Sequence, residues 1–158
     1  MVDYKQKEKS GNRVKMFLDL SFFDSKLSDE KGYLKEDIIT TIAENIAKVF
    51  ADVENRGFNK LSNSQLRAFF NEVKAINNRL NDKEENWDSV YPSILLIKSK
   101  IEYRASKDSK MENLKKFLLE AIKYIQGENK KGKGYKAFKD FVVFFEAIVG
   151  YSYGLGIK

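Results

Sequence analysis

Apolar residues along this chain recur at intervals of three and four, the spacing that gathers them on one face of a helix, and alternating strand-like runs are few. Leu34, Ile38, Ile42, Ile46, Val49, Phe50 and Val53 form one stripe. It predicts a first helix of about five turns, preceded by Asp29 and Gly32 and closed near Gly57. Ser62-Asn63-Ser64-Gln65 has the pattern of a capping box, in which a serine hydroxyl and a glutamine amide satisfy orphan backbone donors at a helix start. Leu66, Phe69, Phe70, Val73, Ile76 and Leu80 follow as the buried face of a second helix, with Arg67, Asn71, Lys74 and Asn78 on the side left to water.

After the polar, acidic linker Asn81 to Asn86, Trp87 opens a third element carrying Val90, Ile94, Leu95, Ile97 and Ile101. Pro92 fits there only within the first turn, where its missing N–H costs nothing. Ser109-Lys110-Met111-Glu112 reads as a second capping box. It opens a fourth helix through Leu114, Phe117, Leu118, Ala121, Ile122 and Ile125, which stops at Gly127. Residues 127–134 (GENKKGKG) read as a flexible, lysine-bearing loop.

Phe138, Phe141, Val142, Val143, Phe144, Phe145, Ile148 and Val149 then nearly encircle a fifth helix, so that helix is either central in a bundle or covered by a partner subunit. Val14 to Phe23 forms a sixth short helix or an extended arm whose Phe17, Leu18, Phe22 and Phe23 need somewhere to dock. The predicted fold is all-α, a single-domain bundle of about five helices. Residues 1–30 are its polar N-terminal tail and arm, and residues 31–158 the bundle domain.

Composition narrows the chemistry. At 158 residues and 42% hydrophobic, one domain can bury a sufficient core without disulfides or a structural metal. The sequence holds no cysteine and no histidine, which removes thiol nucleophiles, zinc sites of the usual ligand types and imidazole-dependent mechanisms. The polar, lysine-rich start at Met1 to Arg13 does not fit a signal peptide, and the longest apolar run, Phe141 to Phe145, is far below the ~20 residues of a membrane span. A cytoplasmic protein without a membrane partner is expected.

Net charge is +6, unevenly distributed: Met1 to Glu54 holds 9 basic and 11 acidic residues, and Asn55 to Lys158 holds 20 and 12. Such a balance is compatible with a polyanion partner without demanding one.

Carboxylates are the remaining catalytic option: Asp29 with Glu30, Glu36 with Asp37, Asp82 with Glu84, Glu85 and Asp88, and Glu102 with Asp108. Each lies at a helix start or in a linker, where the helix dipole accounts for it. The expectation is therefore no catalytic residue, no cofactor and no metal. A phosphate loop is excluded, because Gly127-x4-Gly132-Lys133 is followed by Gly134 instead of a hydroxyl residue and no strand precedes it. Glu146, inside the apolar last helix, is expected to be partly buried and paired with a basic or hydroxyl group.

The basic residues say more. Lys98, Lys100, Arg104, Lys107, Lys110, Lys115 and Lys116 crowd one stretch, and Lys100, Arg104 and Lys107 follow an i, i+4, i+7 spacing that lines one helix face. Cations at that pitch neutralise successive phosphates with salt-dependent affinity that is blind to sequence, although the same spacing describes an ordinary solvated face. Tyr103 lies among them, either as a stacking platform for a base or as a half-buried ring.

Three stretches together resemble the small helical subunit of type III-A (Csm-type) CRISPR effector complexes. They are Leu61-Ser62-Asn63-Ser64-Gln65-Leu66-Arg67, then Ile97-Lys98-Ser99-Lys100 through Tyr103 to Ser106-Lys107, and Phe144-Phe145-Glu146-Ala147-Ile148-Val149-Gly150-Tyr151. The resemblance implies a five-helix bundle without nuclease activity that stacks inside the complex beside guide RNA and target RNA, with other effector-complex subunits and copies of itself as neighbours. A homodimer is left open as a state of the isolated chain. It also implies that Arg67, Lys98, Lys100 and Lys107 face RNA, to which the spacing above adds Arg104.

Two departures stand out. Ser106-Lys107 replaces the usual glycine-arginine, which keeps the charge and loses the bidentate fork, and Ser152-Tyr153 stands where a lysine often follows the last tyrosine. The rival readings are the type III-B small subunit, a structural bundle acting through self-association, and a nuclease whose carboxylates would have to converge.

Overall fold

The structure, a computed structural model, describes residues 14–158 and contains five α-helices: α1 (Ala43–Phe50), α2 (Asn63–Leu80), α3 (Trp87–Lys107), α4 (Glu112–Asn129) and α5 (Gly134–Gly154). The all-α bundle read from the sequence is present, and strand-like pairing among the described residues is confined to isolated bridges, one of them between Ser28 and Leu34. The polar tail at residues 1–13 lies outside the described residues.

Residues 62–65 form the expected capping box: Gln65 donates its N–H to the Ser62 hydroxyl at 3.1 Å, and the Gln65 side-chain oxygen accepts from the Ser62 N–H at 3.0 Å. From there α2 buries Leu66, Phe69, Val73, Ile76 and Leu80 of the face its periodicity selects, with Phe70 only half-buried. The long helices pack in a ring, α2 on α3, α3 on α4, α4 on α5 and α5 back on α2, while α1 lies against α5 and touches α4. That arrangement accounts for the apolar surplus of α5. Most of its additional face is covered from within the chain by α1 and by Phe22, whose ring meets Phe144 edge-on at 5.3 Å, while Val143 stays 45% exposed.

Several boundaries differ from those expected. Leu34 pairs with Ser28 and is not helical, and the helix that starts near Glu36 opens with a wide π-type turn at Ile38–Ile42. The first helix then stops at Phe50, short of Val53 and Gly57, because Asp52 turns into the left-handed region (φ 50°). The buried Asp52 carboxylate compensates by accepting from the Asn59 N–H and the Asn55 amide.

Pro92 sits in the sixth position of α3, beyond the first turn, so it cannot donate to the Asp88 carbonyl one turn back. Nor does Ser109 cap α4. The Asp108 carboxylate accepts from Lys110 N–H at 3.0 Å and starts a short 3₁₀ turn, Ser109–Met111, that leads into α4. At its other end α4 passes through Gly127 to Asn129. The expected eight-residue loop shrinks to a tight turn in which Lys131 and Lys133 donate to the Glu128 carbonyl.

The N-terminal segment is an arm. Residues 14–20 have no helical structure, a 3₁₀ turn occupies Ser21–Ser25, and Asn55 clasps the backbone N–H and carbonyl of Val14. Phe23 packs on Tyr124 and Phe117, Leu27 is fully buried, and Leu18 and Phe22 are partly so, while Phe17 stays 52% exposed instead of docking.

Candidate nucleic-acid interface

Helices α2 and α3 run antiparallel along each other. Arg79 meets Ser93 (2.9 Å), Glu72 meets Lys100, Arg104 lies over Phe69, and Gln65 meets Asp108 (2.5 Å), so numbers fall along one helix as they rise along the other. This register brings the α2-facing edge of α3 beside the Phe69–Glu72 turn of α2. Ala68, Phe69, Glu72, Lys100, Tyr103 and Arg104 surround a shallow hollow there of about 360 Å³.

Three of the five expected RNA-facing residues share that edge. Lys100, Arg104 and Lys107 follow one another along α3, all exposed. The Arg104 guanidinium lies 5.7 Å above the Phe69 ring, and the Lys107 ammonium 4.8 Å above the Tyr103 ring. Both cations are held by aromatic faces, which leave their outward donors free. Tyr103 itself is 63% exposed and not half-buried. Lys100 differs, because its ammonium bonds the Glu72 carboxylate of α2.

Arg67 is exposed on α2, its guanidinium 5.5 Å from the centre of the Tyr153 ring of α5, so it lies toward the α5 side of α2. Lys98 is separated from the others. Two residues before Lys100, it points about 200° away around α3. That is the edge where Glu102 reaches across to Lys115 of α4 at 3.5 Å.

Several of the acids are engaged elsewhere. Asp82 pairs with Lys139 at 2.6 Å, which holds its carboxyl below the ordinary range, and the Asp29 carboxylate closes the turn at Lys31 and Tyr33. Glu146 is exposed and not partly buried, with the Lys74 ammonium at 3.6 Å as the expected basic partner. The buried acid of α5 is Asp140, 5% exposed and bonded to Lys136. Burial pushes its carboxyl up from the ordinary value, more than Lys136 pulls it down. Among the described residues no three acids converge as a metal site, and no helix is long and apolar enough to cross a membrane.

Residues 33–154 match the family Csm2 type III-A. The chain belongs to this family. Csm2 is a subunit of type III-A CRISPR effector complexes, so the resemblance carried by Leu61–Arg67, Ile97–Lys107 and Phe144–Tyr151 identified the right family, and those stretches lie inside the matched span. No curated protein and no solved structure matches the chain.

Within this Csm2 chain, sequence periodicity alone could group Lys100, Arg104 and Lys107. It had no means of finding Glu72 as the partner of Lys100, Phe69 as that of Arg104 or Tyr153 as that of Arg67, since each of these contacts crosses between helices.

Proposed function

We propose that the chain is a non-catalytic scaffold subunit that binds the sugar–phosphate backbone of guide and target RNA along the α2–α3 edge, in the cytoplasm, among other effector subunits and copies of itself. One observation carries the reading. Lys100, Arg104 and Lys107 line one edge of a single helix, and Arg104 and Lys107 rest on aromatic rings instead of carboxylates. Such cations neutralise successive phosphates without reading bases, so specificity falls to base pairing by the guide. Membership of a small-subunit family supports the absence of a catalytic role, with cleavage left to other subunits.

The test is binding of fluorescent single-stranded and duplex RNA to the purified protein across a salt series, beside a variant with Arg67, Lys100, Arg104 and Lys107 all changed to alanine. Binding that weakens by orders of magnitude between ~50 and ~200 mM salt, is lost in the variant and leaves the RNA intact supports the proposal. Undetectable binding at the lowest salt removes it.

A second reading rests on the outward face of α3, where Ser89, Pro92, Leu96 and Ser99 are exposed and uncharged, with Leu96 56% exposed. A face of that kind suits a protein neighbour. Self-association through it would be insensitive to salt and disrupted by Leu96→Glu, measured by sedimentation.

A further inference from the structure

Of the six residues around the hollow between α2 and α3, Glu72 alone is acidic, and it sits against Lys100, the one cation of the α3 edge that has a carboxylate partner. Arg104 and Lys107 form no ion pair with any described residue; their partners are rings. The edge therefore presents two uncompensated cations and a third that is internally neutralised.

An exposed ion pair is a weak contact, corresponding to roughly a one- to fivefold effect on an equilibrium constant, and the Lys100 and Glu72 side chains are 51% and 27% exposed. A phosphate docked on Arg104 and Lys107 brings its own negative charge next to Glu72. It repels the carboxylate and competes for the same ammonium.

We propose that Glu72 is a displaceable counter-ion of the RNA-binding edge: it occupies Lys100 in the free protein and yields it to an RNA phosphate on binding. The inference rests on the proposed function and adds a residue that sets affinity without gripping RNA. An RNA that engages only Arg104 and Lys107 leaves the pair closed, and one held along the whole edge opens it. Glu72 thereby favours extended contacts over brief ones.

The experiment compares wild type, Glu72→Gln, Lys100→Ala and the double variant, all as the full chain, binding one fluorescent single-stranded RNA from ~50 to ~200 mM salt. Glu72→Gln is expected to bind roughly two- to fivefold more tightly at the lowest salt. Its plot of log affinity against log salt steepens by about 0.7, the increment of one further neutralised phosphate on a single strand. Lys100→Ala alone weakens binding, because it removes a phosphate contact and leaves the Glu72 carboxylate uncovered beside the RNA, and in the Glu72→Gln background it removes the gain.

Weaker binding by Glu72→Gln would mean that the carboxylate orients Lys100 toward RNA, and overturns the inference. So would an unchanged slope. If wild type binds and Glu72→Gln does not differ from it, the inference fails and the proposed function stands. If neither binds at the lowest salt, both fall.

Discussion

Gln65 uses both ends of its side-chain amide: the oxygen accepts from the Ser62 N–H at 3.0 Å, and the nitrogen donates to the Asp108 carboxylate at 2.5 Å. One residue thereby closes the N-terminus of α2 and ties it to the turn where α3 gives way to α4, since Asp108 also caps that turn through Lys110. Gln65→Ala removes a cap and takes from Asp108 the side-chain donor at one of its two oxygens, and should cost about 1–2 kcal/mol in urea unfolding. Gln65→Glu keeps the acceptor for Ser62 but confronts Asp108 with a second carboxylate. It should therefore be less stable than wild type in the same urea measurement.

Gly134 begins α5 with no room for a side chain. A Cβ there would lie 2.5 Å from Asn129 Oδ1 and 2.8 Å from Trp87 Cζ2, and those two residues are themselves joined by a 2.7 Å bond from the indole Nε1. Gly134→Ala should therefore break the Trp87–Asn129 bond and cost about 1–3 kcal/mol. The chain has one tryptophan, so the shift of its fluorescence reports the displacement alongside the denaturation midpoint.

Asp140 gives stability an unusual dependence on pH. Burial raises its carboxyl in the folded chain above the ordinary 3.8, so over the interval between the two values the folded state holds more protons than the unfolded one. Stability from this group is highest below that interval and falls as pH rises through it. Asp140→Asn removes the titration. The stability of wild type minus that of the variant should decline as pH rises from below the ordinary carboxylate value to above it, in urea midpoints measured side by side. A difference that rises with pH would show that the bond to Lys136 outweighs burial.

The separation of Lys98 from the α2-facing edge has a direct consequence for RNA binding. Arg104→Ala, which removes a cation held over Phe69, should weaken binding of a single-stranded RNA by roughly three- to tenfold at low salt. Lys98→Ala, on the edge beside α4, should change it far less. Equal losses would mean that RNA wraps α3 instead of lying along the α2–α3 edge.

Much of this architecture is local and therefore legible in residue order. A helix face is defined by neighbours three and four residues away, so the stripes of α2, α4 and α5, the box at Ser62 to Gln65 and the i, i+4, i+7 row of Lys100, Arg104 and Lys107 could be read directly. The boundary errors arose where two local solutions compete and the hydrogen bonds of one particular turn select between them. Asp52 ends α1 because its buried carboxylate finds Asn55 and Asn59. Asp108, tied to Gln65, takes the role assigned to Ser109, and the turn around the Glu128 carbonyl lets α4 run through Gly127.

By itself the sequence determined that the chain is helical, which faces are buried, and that cysteine and histidine chemistry is absent. Only the tertiary structure decided that α1 and Phe22 cover most of the surplus apolar face of α5, that Lys98 parts from the other cations, and that Glu72 occupies Lys100. Each of these depends on which helices lie side by side. That choice is made by the packing of whole faces, and no spacing within a single helix records it.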